Sequence, residues 1–212
     1  MASLTLCDVS YTWLGSSQPV LRNLNFRLSS GELCVLWGKN GSGKSTLAQL
    51  LAGLVEPSSG SLIISRSNRS DNCPIVGLLM QDPQSQIMAS NAEREIAWGL
   101  ENLGLDRACI RERVERTIEQ FELTRLRFAA LDTLSDGQRQ LIVLAAIIAM
   151  QPDFLILDEA TAHLDPDWAN RVWYIAEKYS TDAGVLWITS RRMTASRTTR
   201  CMHLKDGTLI TQ

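Results

Sequence analysis

One nine-residue stretch constrains this chain more than any other. Gly38-Lys39-Asn40-Gly41-Ser42-Gly43-Lys44-Ser45-Thr46 follows an apolar run, Leu33-Cys34-Val35-Leu36-Trp37, and precedes Leu47-Ala48-Gln49-Leu50-Leu51-Ala52. The order is strand, glycine-rich turn, helix, with the pattern G-x-x-x-x-G-K-[ST] at the turn. Glycines there remove Cβ atoms and permit positive φ, so several backbone N–H groups can converge on one anion. The positive end of the following helix points at the same place. Lys44 is placed to reach the outer phosphates of a nucleotide, and the Ser45 hydroxyl to ligate Mg²⁺.

Such a loop needs an acidic partner. Leu155-Ile156-Leu157-Asp158-Glu159 delivers two carboxylates to the end of an apolar strand, where α/β sheets bind ligands. Asp158 is expected to hold Mg²⁺ through water and Glu159 to polarise an attacking water. Bulk properties narrow the remaining classes. A net charge of −2 over 212 residues argues against a nucleic-acid surface or polybasic anchor. The longest apolar run, Leu141 to Met150, is half the ~20 residues a transmembrane helix needs. Met1-Ala2-Ser3-Leu4 carries no basic segment, so no signal peptide is expected. The five cysteines are scattered without a C-x-x-C pair, the pattern of free thiols.

Along the chain, 4–9 and 20–28 read as strands joined by a turn at 15–19. A helix runs from Lys44 to near Gly53, and a short strand covers 62–64. Residues 65–74 form a polar surface loop, and 75–80 a strand stopped at Pro83. From about 91 to 130 the apolar spacing becomes helical, with Ile96, Leu100, Leu103, Ile110, Val114, Ile118 and Phe121 in register. Ser135 starts another helix with Gln138 completing a capping box. Strands at 154–157 and 185–189 flank a helix from about Pro166 to Tyr179 with Asp165 as its cap. The tail reads as a hairpin around Asp206-Gly207. This predicts one α/β domain: a mixed-sheet core lobe over about 1–82 and 152–212, and an inserted helical lobe over about 83–151.

With these motifs in this order, the chain resembles the ATP-binding-cassette (ABC) ATPases over essentially its whole length. The resemblance implies a P-loop NTPase fold of ABC type with an antiparallel β-subdomain, and Mg-ATP as the ligand of Gly38 to Thr46. It implies that Trp13 stacks on adenine, although Trp13 also reads as a core tryptophan. Gln81 matches the family's glutamine loop, which touches Mg²⁺ and water. Ser135, Asp136, Gly137 and Gln138 resemble the signature that clamps ATP held by the opposite subunit. Ala162-His163-Leu164-Asp165 matches the loop that communicates across the dimer. More finely, 81–87 and 95–104 look like the corresponding segment of energy-coupling-factor importer ATPases, which drive uptake of vitamins or of cobalt and nickel ions. That implies a transmembrane T-like component docking near 81–104, a substrate-binding membrane component, and a peripheral place on the cytoplasmic face of the membrane. The alternative is that Ile96, Leu100 and Leu103 are only the core face of a lobe helix.

Three positions depart from the family pattern. Asp136 stands where the signature has glycine; a carboxylate ~4 Å from a phosphate oxygen repels by about 4 kcal/mol at an effective dielectric of 20 and about 1 in water. Leu141 replaces an arginine. Ser190 replaces the histidine that contacts the γ-phosphate, and serine carries no positive charge. Slow turnover is therefore expected, with Ser190 beside Glu159 and Gln81 among the catalytic candidates. In a homodimer both defects fall on both sites, whereas a heterodimer with an intact second ABC ATPase carries one at each. The heterodimer is favoured; the alternative is a hydrolysis-impaired regulatory subunit beside an active paralogue. Many importer ATPases of this group continue into a C-terminal dimerisation extension, so stable nucleotide-free dimerisation is not expected of a sequence ending at Gln212.

Overall fold

Strands buried on both faces read as unbroken apolar runs, and three such runs build the centre of this molecule. The computed structural model describes residues 1–66, 75–162, 164–192 and 200–211. Its strands are β1 (Ser3–Tyr11), β2 (Leu21–Ser29), β3 (Leu33–Trp37), β4 (Ser59–Ser65), β5 (Val76–Leu79), β6 (Phe154–Asp158), β7 (Gly184–Thr189), β8 (Arg200–Lys205) and β9 (Thr208–Thr211). Its α-helices are α1 (Lys44–Leu51), α2 (Ala92–Asn102), α3 (Arg107–Gln120), α4 (Asp136–Ala149) and α5 (Pro166–Tyr179). The strand at 62–64 extends to Ser59 and Ser65, because β4 pairs along β1. Most of the predicted loop at 65–74 lies outside the described residues, as do Cys73 and His163.

Six strands form one sheet in the order β5-β6-β7-β3-β8-β9, parallel throughout except for the final β8–β9 hairpin. A separate antiparallel sheet has the order β2-β1-β4. Successive residues of a strand face opposite sides, so β3, β6 and β7 divide between two cores. Val35, Leu155, Leu157, Val185 and Trp187 pack with residues of α2 to α5. Cys34, Leu36, Ile156, Leu186 and Ile188 pack with α1 and with the inner side chains of β1 and β2.

Helix α4 shows which local force wins. It contains Ile142, Val143, Ile147 and Ile148, β-branched residues that each cost a helix about half a kcal/mol relative to alanine. All four are buried, and burial of such a side chain contributes roughly 1.5–3 kcal/mol. Packing therefore outweighs propensity. The helix begins cleanly because Ser135 and Gln138 form the reciprocal capping box expected from their spacing. In α2, Ile96 and Leu100 are fully buried and Leu103 packs against the same core.

Arg127 ties this group of helices together. Its guanidinium bonds both oxygens of Glu93, at 3.1 and 2.9 Å, and also pairs with Glu115 on α3. The Arg127 hydrogen bonds hold the Glu93 carboxyl below the usual carboxylate range. Arg127→Ala is expected to cost about 1–3 kcal/mol, because hydrogen bonds to charged groups contribute at that level. For a chain of this size that lowers Tm by roughly 2–10 °C in thermal unfolding at pH 7. The depressed Glu93 pKa makes the increment complete at neutral pH and progressively lost on acidification below the ordinary carboxylate range. A variant melting within 1 °C of the parent would contradict this.

Candidate functional site

Ligands of open α/β sheets bind beyond the carboxyl ends of the parallel strands, and register decides what meets there. Leu79 pairs with Leu157, Asp158 with Ile188, and Thr189 with Trp37. The four strand ends are therefore level. Glu159, Ser190 and the loop from Gly38 follow directly on their strands, and Gln81 lies two residues beyond β5, so these residues stand side by side. A cleft of about 440 Å³ opens there, lined by Val20, Asn40, Gly41, Gly43, Lys44, Ser45, Thr46, Gln81, Glu159, Ala162 and Ser190.

The loop reaches α1 through Gly43, whose φ of +100° is a left-handed cap conformation that disfavours any side chain. Lys44 is only 6% exposed. Its Nζ donates to the Gly38 carbonyl at 2.8 Å and the Lys39 carbonyl at 3.1 Å. The same nitrogen lies 3.6 Å from Glu159 Oε1, and Ser190 Oγ donates to Glu159 Oε2 at 3.3 Å. Glu159 follows the last residue of β6 with a φ of +51°, uncommon for a side chain of its size, while its N–H donates to the Ile188 carbonyl at 3.0 Å. Strain of this kind persists where surrounding structure imposes it, and here the bond to β7 does so.

Asp158 is 5% exposed. Burial pushes its carboxyl above the usual range, opposed by a hydrogen bond from Ser45 and by the charge of Lys44, while Glu159 pushes it further up. Its Oδ1 has no hydrogen-bond partner among the described residues. A buried carboxylate oxygen left without a partner, beside a serine hydroxyl, suits a hard, oxygen-seeking cation, so the residues fit Mg²⁺.

The remaining candidates sit elsewhere. Trp13 is 41% exposed and meets Tyr11 edge-on at 5.0 Å, outside the cleft lining and not in a core. None of Ser135, Asp136, Gly137 and Gln138 lines the cleft; Asp136 lines an adjoining groove of about 320 Å³ shared with Gln81, Glu159 and Ala162. Asp165 caps α5, accepting from the N–H groups of Asp167 and Trp168. Asp136 is not a bare carboxylate, because it pairs with Arg139 one turn along α4. That pairing escaped the sequence reading, although the i,i+3 spacing of opposite charges carried the signal. It weakens the electrostatic objection to Asp136, since a guanidinium in contact offsets much of the repulsion a phosphate would feel.

Comparison with known proteins agrees with this geometry. The ABC transporter family model matches residues 21–162. The energy-coupling factor transporter ATP-binding protein EcfA of Methanosarcina acetivorans is 40% identical over 77% of this chain and 62% of its own length. EcfA of Syntrophomonas wolfei is 34% identical over 96% of this chain and 78% of its own. The chain thus spans just under two thirds of the first relative and more than three quarters of the second. Among solved structures, CbiO1 of Clostridium perfringens, part of the ABC transporter complex CbiONQ, superposes with a TM-score of 0.83 at 26% identity, covering 99% of this chain and 87% of that one. Among the described residues no helix is long and apolar enough to cross a membrane. Both the fold and the sequence match place the chain in the ABC transporter family, among the ATPases that couple ATP hydrolysis to transport.

Proposed function

We propose that this chain is an ATP-binding subunit of an energy-coupling-factor importer, driving uptake of a vitamin or metal ion through a membrane partner. One observation carries the reading. A single cleft gathers Lys44, Ser45, Gln81, Glu159 and Ser190, while the signature residues Ser135 to Gln138 lie outside it. A site so divided is completed by the signature of a second ATPase subunit facing the phosphate loop. ATP binding closes the pair through γ-phosphate contacts, and hydrolysis removes them, which is differential binding used as a switch. The EcfA and CbiO relatives support a membrane complex by their names. In this reading the chain works peripherally at the cytoplasmic face. The T-like component docks near 81–104, on a lobe formed by about 83–151, and a separate membrane component binds the solute.

Within the cleft, Gly38 to Thr46 hold the phosphates, Ser45, Asp158 and Gln81 hold Mg²⁺, and Trp13 supplies a face for adenine. The bound Mg²⁺ screens phosphate charge. Glu159 orients and deprotonates the attacking water, and Ser190 holds the Glu159 carboxylate through its hydroxyl. A neutral hydroxyl supplies no positive charge to the γ-phosphate, so turnover is slow and pairing with an intact paralogue is favoured. A regulatory subunit beside an active paralogue draws on the same Ser190 geometry. Ser190→His tests the slow site on which both readings draw. It is expected to raise kcat about tenfold, short of the ~10²-fold or more a well-placed acid–base group supplies. Phosphate release at saturating Mg-ATP measures it, alone and with a paralogous partner. An unchanged kcat would sink the account of the slow site.

A further inference from the structure

The first turn of α5 packs against the first turn of α4, and one aromatic ring makes the contact. Gly137 is buried, and a methyl group added there would lie 2.9 Å from Cγ, 3.1 Å from Cδ1 and 3.2 Å from Cδ2 of Trp168. Carbon atoms do not approach so closely, so the indole face lies flush against the Gly137 backbone. Only glycine fits between them.

The residue that carries the ring is fixed at its backbone and the ring has a further contact. The Trp168 backbone N–H donates to Asp165 Oδ1 at 3.0 Å, so the same helical turn carries the cap of α5. The Arg171 guanidinium lies 5.5 Å from the ring centroid. That guanidinium also donates to the Phe121 carbonyl at 2.6 Å and pairs with Glu122 at 3.1 Å, anchoring α5 to the end of α3. Trp168 packs on the larger of the two cores. The loop at Asp165 and the backbone at Gly137 are therefore set against each other through one rigid plane.

We propose that Trp168 is a positioning residue for ATP hydrolysis: it fixes the stance of the Gly137 backbone relative to Asp165, and so the geometry with which this chain completes its partner's nucleotide site. The inference rests on the reading that Ser135 to Gln138 serve the opposite subunit's ATP. Trp168 touches no nucleotide in this account. It acts by removing the freedom of the α4 N-terminus to tilt, and displacement of such a contact by ~1 Å costs up to 10²-fold in rate.

The test is a double-mutant cycle of Gly137→Ala and Trp168→Ala in the full chain, with its partner ATPase where hydrolysis needs one. Trp168→Ala is expected to lower kcat about tenfold. Trp168→Phe, which keeps a flat face, should stay within about threefold of the parent. Affinity for a fluorescent ATP analogue at the chain's own Lys44 site should be unchanged in both. Gly137→Ala should be the more severe single change, and its effect should shrink in the Trp168→Ala background, where the ring is gone. If Trp168→Ala does not fold, Trp168→Leu takes its place in the cycle. Additive losses, or a loss of analogue affinity in step with kcat, would overturn the positioning role and leave Trp168 as packing. Full activity in Gly137→Ala would instead overturn the cross-dimer reading of the signature.

Discussion

Lys44→Ala is expected to weaken ATP binding by about 30–300-fold while the chain stays folded. Removing one partner of a buried, hydrogen-bonded charge pair costs roughly 2–5 kcal/mol. The lower part of that range, about 2–3.5 kcal/mol, applies here because the Lys44 ammonium is already occupied without nucleotide. It must exchange the Gly38 and Lys39 carbonyls and the Glu159 carboxylate for phosphate oxygens. Converted at about 1.4 kcal/mol per decade, the net loss gives the stated range. Titration with a fluorescent ATP analogue measures it directly. Thermal shift supplies an independent check, since ligand at ~100 Kd stabilises by about 2.7 kcal/mol and the variant should lose most of that increment. A Kd within threefold of the parent would remove Lys44 from the site. An unfolded variant would show that the cradle of carbonyls around Nζ is structural, and Lys44→Met would then repeat the titration with the side-chain volume retained.

The strands and helices were readable where the physics is local. The apolar runs at 33–37, 154–157 and 185–189 had to be buried strands, and Asp165-Pro166 and Ser135 with Gln138 had to begin helices. The phosphate loop was readable because its glycines and Lys44 serve one chemical purpose in contiguous sequence. Pairing register was less accessible, since it depends on partners far apart in the chain. No pattern in residues 59–61 announces that β4 continues along β1, and the strand was expected three residues late. The same limit applies at the site. Ser190 could be named, but its bond to Glu159 exists only because β6 and β7 are neighbours in register. Asp136 shows the converse: its neutralising partner lay three residues away, and a local rule would have found it. Trp168 against Gly137 is the hardest case. Nothing in either segment alone says that α4 and α5 start against one another, because that follows from how two helices settle on a common sheet.

Glu159→Gln carries the other large effect, and it separates binding from chemistry. A positioned general base contributes about 10²–10⁴-fold, so kcat is expected to fall by that factor. The amide oxygen can still accept the Ser190 hydroxyl, so the side chain should keep its place, and the left-handed turn at 159 is set by the backbone bond to Ile188 rather than by the carboxylate. What the amide loses is the ion pair with Lys44. Before nucleotide arrives, that pair competes with phosphate for the ammonium. Its loss should leave ATP affinity equal to the parent's or modestly tighter, the opposite direction to Lys44→Ala. Adding Lys44→Ala to Glu159→Gln should cost binding by more than it does alone if the ion pair, rather than the carbonyl contacts, is what Lys44 gives up on binding. Single-turnover phosphate release and analogue titration on the same preparations read both quantities. Retention of more than a tenth of the parent kcat would rule out Glu159 as the base. A weakened Kd would show that the carboxylate helps to shape the cleft instead of competing for Lys44.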